Sequence, residues 1–270
     1  MTDALRMLPT DPELWVMAGK RSALSGDMAA ARGFFMRGCR FCNKDGRLWL
    51  EYARCEMNWL DKIEKKKSRD GKGALAVKKA EAEDELRLID WDEDEDEEDG
   101  IIMPEPTTAQ STVIDKQAIT QLKSNPAMDG AIPMAIFDIS RKQSFFDAST
   151  AASFFEMFTS YRQLTVQPRI SQHVLDAMDE QFPRDPSTCD CHVRETIVGV
   201  DPRTTEFPRN LRGVLAKLRE QLEVTTDREE LQRKTIAWID AFLAVDDLDE
   251  DIRTALEHVK GQQQQQQQVS

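Results

Sequence analysis

Residues 11–52 read DPELWVMAGKRSALSGDMAAARGFFMRGCRFCNKDGRLWLEY, and this stretch decides the fold. Leu14-Trp15 recurs as Leu48-Trp49, a step of 34 residues. A turn precedes each pair: Thr10-Asp11-Pro12 before the first, Asn43-Lys44-Asp45-Gly46 before the second. Ala18 and Tyr52 follow three residues after each Trp, on the same helical face. Asp11 suits an N-cap, with Pro12 at the first helical position, where its missing N–H costs nothing. Between the copies, Gly26-Asp27 reads as a turn and cap opening the Ala-rich helix MAAARGFFMRGC. One helix carries a large Trp. The next carries small Ala30 and Ala31, which permit close approach, and then Phe34, Phe35 and Cys39 to fill a core. A period of this length means helix pairs that bury their faces only by stacking on neighbours. Trp15, Ala31, Phe34, Phe35, Trp49 and Tyr52 are therefore expected to be repeat core rather than a ligand box.

The third unit is interrupted. Lys62–Lys79 holds eight bases against two acids, and its first part is expected to extend the Trp49 helix. Glu81–Asp99 then holds 13 acids against Arg87 alone. That segment carries −12 of the net −13, so the remainder is nearly neutral and has no global nucleic-acid footprint. Helices are expected to return near Ile132. Pro133 opens one, Asp147 caps another, and Ala151, Phe154, Phe155 and Phe158 form an apolar stripe. Further helices are expected at about Arg169–Gln181, Thr188–Gly199, Pro208–Val224, Asp227–Val245 and Asp249–Lys260.

The expected division is residues 1–90 as N-terminal helix pairs with a charged extension and 91–128 as a disordered acidic, Pro-containing insertion. Residues 129–260 follow as C-terminal helical repeats, then 261–270 as a disordered poly-Gln tail. The expected fold is all-α: an α-solenoid of antiparallel helix pairs, in two lobes about the insertion.

The pattern Leu14-Trp15…Gly26-Asp27…Ala31-Arg32-x-x-Phe35-x-Arg37, closed by Leu48-Trp49-x-x-Tyr52-x-x-x-Glu56, resembles the half-a-tetratricopeptide repeat. That family is found mostly in RNA-processing assemblies. The repeat pair, the Lys-rich continuation, the acidic insertion and then Gly130–Ser140 (GAIPMAIFDIS) resemble, within it, the U3 small nucleolar RNA-associated proteins. The resemblance implies a non-catalytic scaffold of the small-subunit processome, the nucleolar assembly that matures 18S ribosomal RNA. It implies β-propeller proteins as partners, with pre-rRNA and U3 small nucleolar RNA contacted mostly through the assembly. Such proteins carry earlier repeats. Here Ala4–Pro9 stands before Trp15 as Arg37–Phe41 stands before Trp49, so the chain reads as an N-terminally short version.

Other chemistry is expected to be absent. The start, MTDALRMLPTDPELW, lacks the plan of a secretory signal, and no apolar stretch approaches the roughly 20 residues of a membrane span. The five cysteines are an odd count and suit a reducing compartment. Cys39-x-x-Cys42 with Cys189-x-Cys191-His192 supplies soft zinc ligands, but the spacing is unusual and Cys39 sits on an apolar face, so no metal or other cofactor is expected. His173, His192 and His258 lack any catalytic motif around them, and no enzymatic activity or small-molecule substrate is expected. The expected compartment is nuclear, with no membrane partner. Lys65, Lys66, Lys67 and Arg69 are the candidate RNA contacts of an alternative reading, in which Lys62–Lys79 binds phosphate directly. No aromatic interleaves that run, and its acidic neighbour offers a plainer account. A second alternative is a scaffold of the same repeat family in splicing or mRNA 3′-end processing.

Overall fold

In a computed structural model, residues 2–70 and 129–269 are described, with side chains over 4–66 and 129–265. Among the described residues the chain forms eleven α-helices and no strand. They are α1 (Thr2–Met7), α2 (Pro12–Leu24), α3 (Met28–Phe41), α4 (Gly46–Asp70), α5 (Ala131–Ser140), α6 (Ala148–Thr159), α7 (Gln167–Gln181), α8 (Pro186–Arg194), α9 (Glu206–Val224), α10 (Arg228–Leu243) and α11 (Glu250–Val269). The expected insertion, and the basic run beyond Asp70, lie outside the described residues.

Local chemistry sets where helices begin. Asp11, Asp27, Asp147 and Asp227 each stand before a helix, and the carboxylate accepts from a backbone N–H of the first turn. Each cap satisfies a donor that the helix leaves orphaned and contributes about 1 kcal/mol. Gly26 and Gly130 turn the chain at φ +91° and +75°, which an L side chain adopts only with strain. At Gly130 a Cβ would also lie 2.7 Å from the Ile170 side chain.

Each helix packs on the next within α2/α3, α4/α5, α6/α7, α8/α9 and α10/α11. The first members also touch in series: α2 on α4, α4 on α6, α6 on α8 and α8 on α10. The α2/α3 contact is close because Gly19 lies under the Phe35 ring and Gly38 under Trp15. A Cβ at those glycines would come within 2.4 and 2.7 Å of these neighbours. The approach expected of Ala30 and Ala31 is thus made by Gly19 on α2 and by Gly38 further along α3, although Ala31 is fully buried.

One apolar cluster joins residues from Leu5 to Leu60, along α1–α4, to residues from Ile136 to Cys191, along α5–α8. The two stretches around the insertion are therefore one packed body rather than two lobes. Trp49 meets Phe145, with ring centroids 6.5 Å apart. The Tyr161 hydroxyl donates to Asn58 at 2.8 Å, and the Gln163 amide to Asp61 at 3.1 Å. A second cluster joins α8–α11 around Phe207, Leu231, Ile239 and Leu256. The expected disordered tail also differs, since α11 continues through the glutamines to Val269. Glutamine is a good helix former, and propagating a helix already anchored by Ile252, Leu256 and Val259 is far easier than nucleating one.

Candidate functional site

Trp15 and Trp49 have comparable surroundings. Trp15 is 5% exposed and stacks on Phe41 at the end of α3, with centroids 5.7 Å apart and planes 10° apart. Trp49 is equally buried and meets Phe145, just beyond the end of α5. In both pairs the first helix presents a Trp to an aromatic closing the second. Phe35 stacks on Tyr52 with centroids 5.2 Å apart, which ties α3 to α4. Phe34 is only partly buried at the edge of the cluster. The Trp15 Nε1 donates to the Pro9 carbonyl at 2.8 Å, whereas the buried Trp49 Nε1 has no partner among the described residues.

Arg32 and Glu56 form a buried bidentate pair at 2.8 and 2.9 Å, and the Arg32 guanidinium lies 5.3 Å from the Trp59 ring centroid. Both side chains are almost wholly out of water (2% and 1% exposed). Such a pair fixes the register of α3 on α4 more than it adds stability.

Charges between the successive first members of the pairs are matched. Lys20 of α2 pairs with Glu51 of α4 at 2.7 Å, and Arg54 approaches the same carboxylate at 3.3 Å. Arg194 of α8 joins Glu156 of α6 at 3.4 Å and Asp190 at 2.9 Å. Burial pushes the Asp190 carboxyl up, against the pull of Arg194. On α10, Glu230 pairs with Arg233 and Lys234.

The histidines make structural pairs. His173 of α7 meets Asp138 of α5 at 2.9 Å, His192 meets Asp179 at 2.7 Å, and His258 meets Gln262 at 2.9 Å. Among the described residues, the hydrogen-bond partners of these rings are two carboxylates and an amide. The five cysteines are free thiols and all buried. Cys189 lies in the second cluster, Cys39, Cys42 and Cys191 in the first, and His192 is engaged by Asp179. Among the described residues no group of three or more His, Cys, Asp or Glu is gathered to hold a metal. No helix there is long and apolar enough to cross a membrane.

Of the candidate RNA contacts, Lys65 is exposed and pairs with Asp61 at 2.6 Å, and Lys66 is exposed. The side chains of Lys67 and Arg69 lie outside the described residues. Glu64 and Asp61 on the same helical end bind the α6–α7 loop through Thr165 and Gln163. This end of α4 thus carries both signs of charge and already serves packing.

Sequence reasoning passed over the exposed end of α3. Phe41 is 55% exposed there, over a shallow cleft of about 370 Å³ lined by Thr10, Pro12, Cys42, Asn43, Lys44, Asp45 and Gly46. The available signal was the absence of any acid over residues 28–44, alongside four bases. No family model and no curated protein matches this chain.

Proposed function

We propose that the chain is an α-solenoid of antiparallel helix pairs acting as a non-catalytic scaffold subunit of the small-subunit processome, supporting pre-rRNA processing and 18S rRNA maturation in the nucleolus. The observation that carries the solenoid reading is the order of contacts. Each helix touches its partner, and the first members α2, α4, α6, α8 and α10 touch in series. The repeated Trp-to-aromatic closure at Phe41 and Phe145 supports it. An array of this kind presents long surfaces and no closed pocket, which suits holding several proteins at once.

The step from scaffold to processome rests on the resemblance of the Trp repeats and of Gly130–Ser140 to the U3 small nucleolar RNA-associated proteins, the sixth above all. On this reading the partners are β-propeller subunits of the same subcomplex, and pre-rRNA and U3 RNA are reached mainly through them. The test is affinity purification of the tagged full chain, followed by identification of its RNAs and proteins. Recovery of U3 small nucleolar RNA, pre-rRNA and β-propeller proteins is the expected result. Spliceosomal RNAs or cleavage factors instead would transfer the scaffold to another RNA-processing machine.

A further inference from the structure

Helix α3 turns Ala31, Phe35, Gly38 and Cys39 towards α2 and α4. Its opposite face carries Arg37, Arg40 and Phe41, all exposed, and Lys44 follows in the turn. Among the described residues these three cations have no ion pair. No acid occurs in residues 28–44, so the face has no negative charge of its own. Asp45 follows the face in sequence and Asp11 acts on Cys42 from α2's start, and both are occupied. Asp45 is held by the Arg47 amide at 2.9 Å and its guanidinium at 3.2 Å, and Asp11 caps α2 at the Glu13 amide.

Phe41 is the centre of the argument. Exposure alone marks nothing, since single apolar side chains are common on surfaces, but Phe41 is an exposed aromatic set among cations. Here the ring is held flat by its stack on buried Trp15, so ordering it costs little on contact. Beside it the cleft offers the polar groups of Thr10, Asn43 and Asp45 rather than an apolar pocket.

We propose that this face binds single-stranded nucleic acid, with one base stacked on Phe41 in the cleft and backbone phosphates on Arg37, Arg40 and Lys44. An aromatic platform flanked by unopposed cations is the recurring way to hold a single strand. Arginine suits phosphate because its planar fork donates two parallel hydrogen bonds. An acidic peptide fits less well, because a protein partner needs an apolar anchor seated in a dry pocket and this cleft is open and polar. The site shares no residue with Lys62–Lys79 and does not rest on assignment to any one RNA-processing machine.

The test uses the full chain and a fluorescein-labelled single-stranded RNA of roughly 12 nucleotides, titrated by anisotropy at several salt concentrations. Phe41→Ala is expected to weaken binding roughly tenfold or more, while Phe41→Trp retains it. Arg37→Gln with Arg40→Gln is expected to lower the slope of log affinity against log salt by about 1.4. Arg37 and Arg40 are exposed, so the double arginine variant should melt with the parent, whereas Phe41→Ala also loses the stack on Trp15 and its fold is checked by circular dichroism at the titration temperature, with Phe41→Trp as the folded control. Unchanged binding by the α3 variants, with loss in Lys65→Glu/Lys66→Glu, would place the RNA on α4 and overturn the proposal. Absence of binding by the parent at low salt would do the same, as would equal displacement of the RNA by a poly-glutamate peptide of matched charge.

Discussion

Arg32 and Glu56 each leave water almost completely, and each is compensated chiefly by the other. Removing one partner is therefore expected to cost more than the pair contributes. Glu56→Ala strands a buried guanidinium, and unfolding in urea should show a loss of about 3–5 kcal/mol. Arg32→Met with Glu56→Leu should recover most of it, and a double variant as unstable as the single one would contradict this account. Asp61 behaves differently. Burial pushes its pKa up, but hydrogen bonds from Lys65 and Gln163 outweigh burial and hold it below the ordinary carboxylate range. A depressed folded pKa stabilises above the unfolded value of about 4 and is lost as pH falls through the lowered value. The urea midpoints of parent and Asp61→Asn should therefore differ more at neutral pH than near pH 3. The thiols are shielded by burial, which pushes Cys55 up to about 12 and raises Cys39 and Cys191 as well. A thiol reagent at pH 8 should leave the native protein nearly untouched and find all five thiols in denaturant, and rapid native labelling would show that these helices open easily.

Helix by helix, the caps and apolar stripes were legible before any coordinates. Asp11, Asp27 and Asp147 cap the helices that their positions announce, because an N-cap is a contact within four residues, and Asp227, expected as a helix's first residue, caps it instead. Asp27→Ala should lower stability by about 1 kcal/mol. Trp49→Ala should cost about 3–5 kcal/mol, since its ring fills the space between α4 and Phe145, and a small change would place the ring outside the core. Gly38→Ala sets two effects against each other. Alanine gains about 1 kcal/mol of helix propensity, yet its Cβ would press on the Trp15 Cβ at 2.7 Å. Overpacking costs typically 1–3 kcal/mol, so a net loss is expected in the melting curve. Nothing in sequence periodicity reveals which glycine lies beneath a partner ring. The expected start of α8 at Thr188 and end of α11 at Lys260 also missed the observed bounds. Pro186 suits a first turn, and glutamines prolong an anchored helix.

Across the whole molecule, α4 is the helix that joins the parts. It packs on α2 and α3 before the insertion and on α5 and α6 after it. One cooperative calorimetric transition is expected for α2–α7, and two well-separated transitions there would restore the picture of two lobes. By itself, the sequence determined the helical class, the 34-residue Trp step, the caps and most of the buried stripe, because each depends on spacing along one helix or one turn. Only the tertiary structure decided that one core joins α2–α4 to α5–α7, that Gly19 and Gly38 set the α2/α3 spacing, and that Phe41 stays exposed beside arginines without an ion pair among the described residues. Those facts depend on which helix faces come together. Positions far apart in the chain settle that, and no local period encodes it.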